Sequence, residues 1–183
     1  QLWHAPAWWW DKTKPGTGLS IELQGEKVYL AWYVYDATGR PVWYACLASR
    51  SSDQSFTGNV FRATGWPLGT SWDGPPVITT VGTCTLTFSG AGNATFSYNV
   101  TGFPAGSMSL TRLFDNMDGL TTHAYDTRNI SGWWWDSSKE GMGIFIEARG
   151  NTLYFAWYHY RGDRSPRWWS LGGGDRSEER RVG

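Results

Sequence analysis

Several things are scarce in this 183-residue chain, and each scarcity closes off a class of protein. No apolar run approaches the roughly 20 residues that a membrane helix needs. The dense apolar stretches alternate with polar residues instead, which reads as a soluble protein with no membrane partner. Charge of either sign is not in excess: 16 Lys and Arg face 16 Asp and Glu, without a basic stripe. No long-range field therefore draws nucleic acid or anionic lipid, and stacking of single-stranded bases, which also needs a positive groove, is not expected. The three histidines, His4, His123 and His159, are scattered without metal-ligand spacing, so neither metal nor cofactor is expected. No Gly-x-Ser-x-Gly elbow and no Cys–His pair signals a nucleophile. Cysteine is limited to Cys46 and Cys84, without a Cys-x-x-Cys or His neighbour. They form one disulfide or remain two buried thiols.

What the chain has is tryptophan, 14 residues of it, together with 23 glycines. Aromatic residues favour strands, and long helix-forming runs are few, so the expected class is all-β. Eleven of the tryptophans lie in a stretch that occurs twice. Residues 8–48 align without a gap on 133–173, at a constant offset of 125, with 17 identities in 41 positions. The identities include Trp8-Trp9-Trp10-Asp11 and Trp133-Trp134-Trp135-Asp136, Gly16/Gly18 and Gly141/Gly143, Glu22 and Glu147, and Tyr-x-Ala-Trp-Tyr-x-Tyr at 29–35 and 154–160. Such self-similarity sets the unit of structure.

Within the unit, Leu19, Ile21 and Leu23 alternate with polar residues as a half-buried strand. Gly25-Glu26 and Gly150-Asn151 suit two-residue hairpin turns. Residues 28–35 are apolar or amphipathic on both faces, which predicts a strand covered on both sides. Further strands are predicted around 41–46, 56–61, 84–88, 96–100 and 108–112, with a turn whose Gly39 is left-handed and a Gly/Pro loop over 65–76. Seven or eight short strands in an antiparallel meander must hide their edges, and closure into a barrel is the expected solution. The organisation read from this is a barrel unit over 1–114, a linker over 115–131 and an incomplete second repeat over 132–175. That second repeat must pair with the edge of the first, stay partly open, or be cut short. Residues 176–183 break with the pattern, resemble a translated sequencing adapter and are set aside as a non-native tail.

The succession Trp-Trp-x-Asp, Gly-x-Gly-x-x-x-Glu, Tyr-x-Ala-Trp-Tyr-x-Tyr, Pro-x-Trp resembles the tryptophan-rich repeat module of secreted bacterial proteins. The continuations Phe56-Thr-Gly-Asn-Val-Phe-Arg62 and Val81-Gly-Thr-Cys-Thr-Leu-Thr-Phe88 share in the resemblance. It implies an exported accessory β-module, often beside a hydrolase domain that would be its neighbour. The second copy departs from the pattern at Arg161-Gly-Asp-Arg-Ser.

Three consecutive tryptophans cannot share one face of a strand, because neighbouring side chains alternate. At least one ring therefore leaves the core, to meet a ligand or to be covered by a loop or the second copy. Aromatic faces suit the C–H faces of sugars, with polar neighbours for the hydroxyls. The candidate platform is Trp8, Trp9, Trp10, Tyr33, Tyr35 and Trp43, with Trp133, Trp134, Trp135, Tyr158, Tyr160 and Trp168 from the second copy. The leading expectation is a secreted module that binds polysaccharide or another ring-bearing ligand. Tryptophan is equally at home in cores and interfaces, so the alternative is a structural or interaction module whose rings are buried between repeats. Asp11 and Glu22 are weak candidates for the carboxylate pair of a glycoside hydrolase. Their structural reading is that Asp11 caps a turn and Glu22 bonds a hydroxyl or pairs with Arg112, whose parity with Met108 and Leu110 points it inward.

Overall fold

The computed structural model describes residues 6–114, 130–149 and 152–175. The first-unit residues form eight strands: β1 (Ala7–Trp10), β2 (Gly18–Gln24), β3 (Lys27–Tyr35), β4 (Pro41–Arg50), β5 (Ser55–Thr64), β6 (Val77–Phe88), β7 (Asn93–Val100) and β8 (Gly106–Arg112). Every sequential pair is antiparallel, and β1 returns to β8 through Trp9↔Arg112 and Trp10↔Thr111. The meander thus closes into a barrel and leaves no edge in the first unit.

Alternation decides what fills it. Along β3, Val28, Leu30, Trp32 and Val34 point inward, where they join Trp9, Leu19, Phe56, Leu86, Phe96 and Leu110 in one core. Each fully buried large side chain contributes about 1.5–3 kcal/mol relative to exposure. Cys46 and Cys84 face the same interior and form a disulfide that ties β4 to β6 across β5. Tight curvature beside this tie requires glycine: a Cβ at Gly58 would stand 2.1 Å from the Leu47 carbonyl oxygen, and one at Gly82 2.1 Å from that of Asn99. The register slips between Val60 and Phe61, opposite Gly82 and Thr80, a bulge of the kind that bends barrels. Strand β6 starts at Val77, well before the segment that alternation marks. Its first residues, Val77 to Thr80, pair with Phe61 to Thr64 and extend the β5–β6 hairpin beyond the barrel wall.

The second repeat contributes β9 (Gly132–Trp134), β10 (Gly143–Arg149), β11 (Thr152–Tyr160) and β12 (Pro166–Asp175), in a sheet ordered β12-β11-β10-β9. It reproduces β1–β4 in register except for a bulge in the β11–β12 pair between Leu153 and Tyr154: Gly18↔Tyr33 and Tyr33↔Trp43 become Gly143↔Tyr158 and Tyr158↔Trp168. Because the barrel offers no edge, the sheet lies face-on against its outer wall. The layer between them contains Trp8, Ala31, Tyr33, Trp43 and Ala63 from the barrel and Phe145, Ala156, Tyr158 and Tyr160 from the sheet. This covering explains why both faces of 28–35 are apolar. Residues 115–129 of the predicted 115–131 linker, the predicted turn at Gly150-Asn151 and the tail over 176–183 lie outside the described residues.

Candidate ligand cleft at the seam of the repeats

The two repeats meet through their own equivalent residues. Trp8 stands edge-on to Tyr154 at 5.1 Å, and its counterpart Trp133 stands edge-on to Tyr29 at 5.0 Å. Tyr33 meets Trp168 at 5.6 Å, and Trp43 meets Tyr158 at 5.3 Å. Tyr35 with Trp168 and Trp43 with Tyr160 repeat the exchange at 5.8 and 5.9 Å. The indole N–H of Trp43 donates to the His159 carbonyl, and that of Trp168 to the Val34 carbonyl. All these pairs interchange on adding or subtracting 125, so the interface has an approximate twofold axis. Burial pushes the hydroxyls of Tyr33, Tyr158 and Tyr160 to ionise far above the ordinary tyrosine range.

The symmetry fails at the carboxylates, and a cleft opens there. Glu147 is buried and accepts a hydrogen bond from the Trp8 backbone N–H at 2.6 Å. Beside it Tyr154 is covered by Phe114, with ring centroids 6.0 Å apart. On the other side of the axis, Glu22 is half-buried and accepts from the Gln24 side chain, and Tyr29 remains 41% exposed. No described segment takes over Tyr29 the place that Phe114 takes over Tyr154. The result is a cavity of about 900 Å³ between barrel and second sheet. Its lining includes the buried Trp43 and Tyr158, the half-buried Phe61 and Trp133, and the strongly exposed Trp135. Pro75, Pro76 and Ile78 also line it, while Glu22, Gln24, Lys27 and Glu140 supply polar groups. An apolar, aromatic surface with a few convergent polar groups is what small-ligand sites look like.

Of the twelve rings read as a platform, Trp43, Trp133, Trp135 and Tyr158 line this cleft. Trp8, Tyr33, Tyr160 and Trp168 belong to the layer between the repeats, where the second copy covers the outward ring of the first triplet. Trp9 is 2% exposed inside the barrel, packed on Phe88, and meets no surface ligand. Trp10 is half-buried at the end of β1, Tyr35 is exposed beside Trp168, and Trp134 projects from the opposite face of the second sheet. Sequence reading missed Tyr29, Phe61 and Glu140. Tyr29 carried a usable signal, its outward parity on β3.

The carboxylates separate by role. Asp11 caps its turn by accepting from the backbone N–H and hydroxyl of Thr13, with Lys14 at 3.7 Å, and these contacts lower its pKa. Asp36, Asp136 and Asp163 make the same turn with Thr38, Ser138 and Ser165. Asp11, held in its own turn, is not among the residues lining the cleft that Glu22 lines. Arg112 faces inward as its parity requires and lies over the Trp9 ring at 5.3 Å. Glu22 faces outward, so the barrel wall stands between the two and the suggested pairing does not form. Among the described residues, no group of three His, Cys, Asp or Glu is placed to hold a metal ion.

The turn at 161–165 keeps the seam in register. Arg161 donates to the Pro41 carbonyl, and Gly65 N–H donates to the Arg164 carbonyl. Arg164 stacks over Trp66 at 4.3 Å. Its φ of 66° matches that of its counterpart Gly39, at 78°.

Fold and cleft together define an all-β protein in which a closed barrel carries a partial second copy of itself, with a ring-lined cavity at the join. No protein-family model, curated protein or solved structure matches the chain.

Proposed function

We propose that the chain is a carbohydrate-binding module of an exported protein, with the stacked repeats as scaffold and the seam cleft as the site. The observation that carries this reading is the open position over Tyr29. Its twin over Tyr154 is filled by the Phe114 ring, whereas Tyr29 is 41% exposed and lines the cleft, which supports a ring-bearing occupant. A pyranose placed there would stack on Tyr29 and Trp135, with its hydroxyls in reach of Glu22, Gln24, Lys27 and Glu140. The disulfide supports an oxidising compartment, and a neighbouring hydrolase domain would be the partner that benefits from such an anchor.

The test is retention on a panel of insoluble polysaccharides, combined with tryptophan fluorescence against soluble oligosaccharides. Retention on one polymer that drops at least about tenfold, or about 1.4 kcal/mol, in Tyr29→Ala and Trp135→Ala, but persists in Asp11→Asn, is the expected result. Binding to none of the polymers removes the carbohydrate reading.

A second reading is favoured by the reciprocal ring pairs. In it the repeated face is a homotypic docking surface, and the cleft is a by-product of pairing a complete unit with a partial one. Trp43→Ala would then detach the second sheet without affecting any free ligand.

A further inference from the structure

On the face that is the inside of the barrel in the first unit, the second sheet exposes three large side chains, although Ala148 and His159 on that face stay buried. Counterparts at the 125 offset make the contrast plain: Trp9 is 2% exposed and Trp134 51%, Tyr44 7% and Trp169 42%, Cys46 1% and Leu171 60%. In the first unit this face is covered by β5–β8 through Phe56, Leu86, Phe96 and Leu110, all fully buried. The edges differ in the same way. Strands β1 and β4 pair with β8 and β5, whereas among the described residues β9 and β12 end their sheet. Exposed large rings between two open edges are an incomplete barrel, and such a surface marks an interaction site.

We propose that this face docks a four-stranded antiparallel β-segment built like β5–β8, with apolar residues at alternate positions, which pairs with β9 and β12 and closes a second eight-stranded barrel. The first unit supplies the template, since the registers of β9–β12 repeat those of β1–β4 up to a bulge between Leu153 and Tyr154, beyond which β12 is shifted by one residue. A second copy of the chain fits less well. It would bring β9, three residues long, against β12, whereas β4 joins β5 over the six positions from Ala45 to Arg50. The proposal rests on the repeat and the open face, and is independent of what occupies the cleft.

The experiment appends a second copy of residues 51–112 after Asp175, the counterpart of Arg50, with Cys84→Ser in the added copy because Leu171 stands where Cys46 would be. Light scattering, binding of an apolar dye and amide exchange are compared with those of the unaltered chain. A monomeric unaltered chain that binds dye, and an extended chain that loses most of that binding and gains protection in β9 and β12, is the expected result. An extended chain that folds yet keeps its dye binding overturns the proposal. So does an unaltered dimer that Leu171→Asp dissociates, since a second copy would then be the occupant. Should the extended chain aggregate, residues 51–112 are supplied as a separate polypeptide while the full chain refolds. A one-to-one complex with protected β12 amides supports the proposal, and its absence overturns it.

Discussion

Trp43 and Trp168 hold the seam in the same way from opposite sides. Each lies among the tyrosines of the other repeat and donates its indole N–H to a backbone carbonyl there, at 3.3 and 3.2 Å. The ring packing and the hydrogen bond are separable contributions. Trp43→Ala removes both at a buried site and is expected to cost about 3–5 kcal/mol. Trp43→Phe retains most of the packing, but leaves the His159 carbonyl without its donor, and should cost distinctly less. Denaturant midpoints give the two numbers, and amide exchange should place the extra opening of Trp43→Ala in β9–β12.

The disulfide closes a loop of 38 residues and ties strands on either side of β5. Replacing both cysteines by serine is expected to lower stability by about 2–4 kcal/mol, chiefly by freeing the unfolded chain. Urea unfolding of the oxidised protein beside the double variant checks this. A ring-lined cleft that keeps its affinity in the folded variant would show that the tie serves the barrel alone.

Arg164 sits where the first copy has a glycine. A non-glycine residue in the left-handed region costs about 1–2 kcal/mol, offset here by stacking over Trp66 and by a bond from its side chain to the Gly65 carbonyl. Arg164→Ala loses the contacts and keeps the backbone cost, whereas Arg164→Gly loses the contacts and relieves it. Thermal unfolding should therefore rank Gly above Ala by about 1 kcal/mol.

His159, on the face of the second sheet away from the barrel, gives that sheet a pH response. It is buried, stacks on Trp157 and Trp169 and donates from Nδ1 to the Tyr160 carbonyl. Burial lowers its pKa, and the nearby Arg167 and Arg161 add to the effect. The unfolded chain then binds the proton more readily than the folded one, so stability rises with pH through this group. The loss begins as pH falls past the ordinary histidine value, near 6.5, and continues until the folded imidazole is itself protonated. Unfolding midpoints at pH 7.5 and 5.5 should differ less in His159→Phe than in the parent. Equal differences would assign the pH dependence to other groups.

The barrel was legible because period-two alternation is a local property: Leu19, Ile21 and Leu23, or Phe96, Tyr98 and Val100, announce a half-buried strand from a few residues. The outward turn of a ring in Trp8-Trp9-Trp10 was legible on the same ground. What covers Trp8 was not, because Phe145 and Tyr154 lie more than a hundred residues away and parity does not name a partner. The early start of β6 was hidden by Gly74-Pro75-Pro76, loop residues that directly precede it. The cleft was the least visible feature. Glu22, Phe61, Pro76 and Glu140 come from four separated segments, and only the face-on stacking of two sheets brings them together.

The approximate twofold axis carries a consequence for the number of units rather than their shape. A surface that pairs with its own kind saturates in twos. Polypeptides with an even count of these units can satisfy every aromatic layer internally, whereas an odd count leaves one layer free to join another molecule. Repeat number would then act as a valence, written into the gene by duplication and read out as assembly.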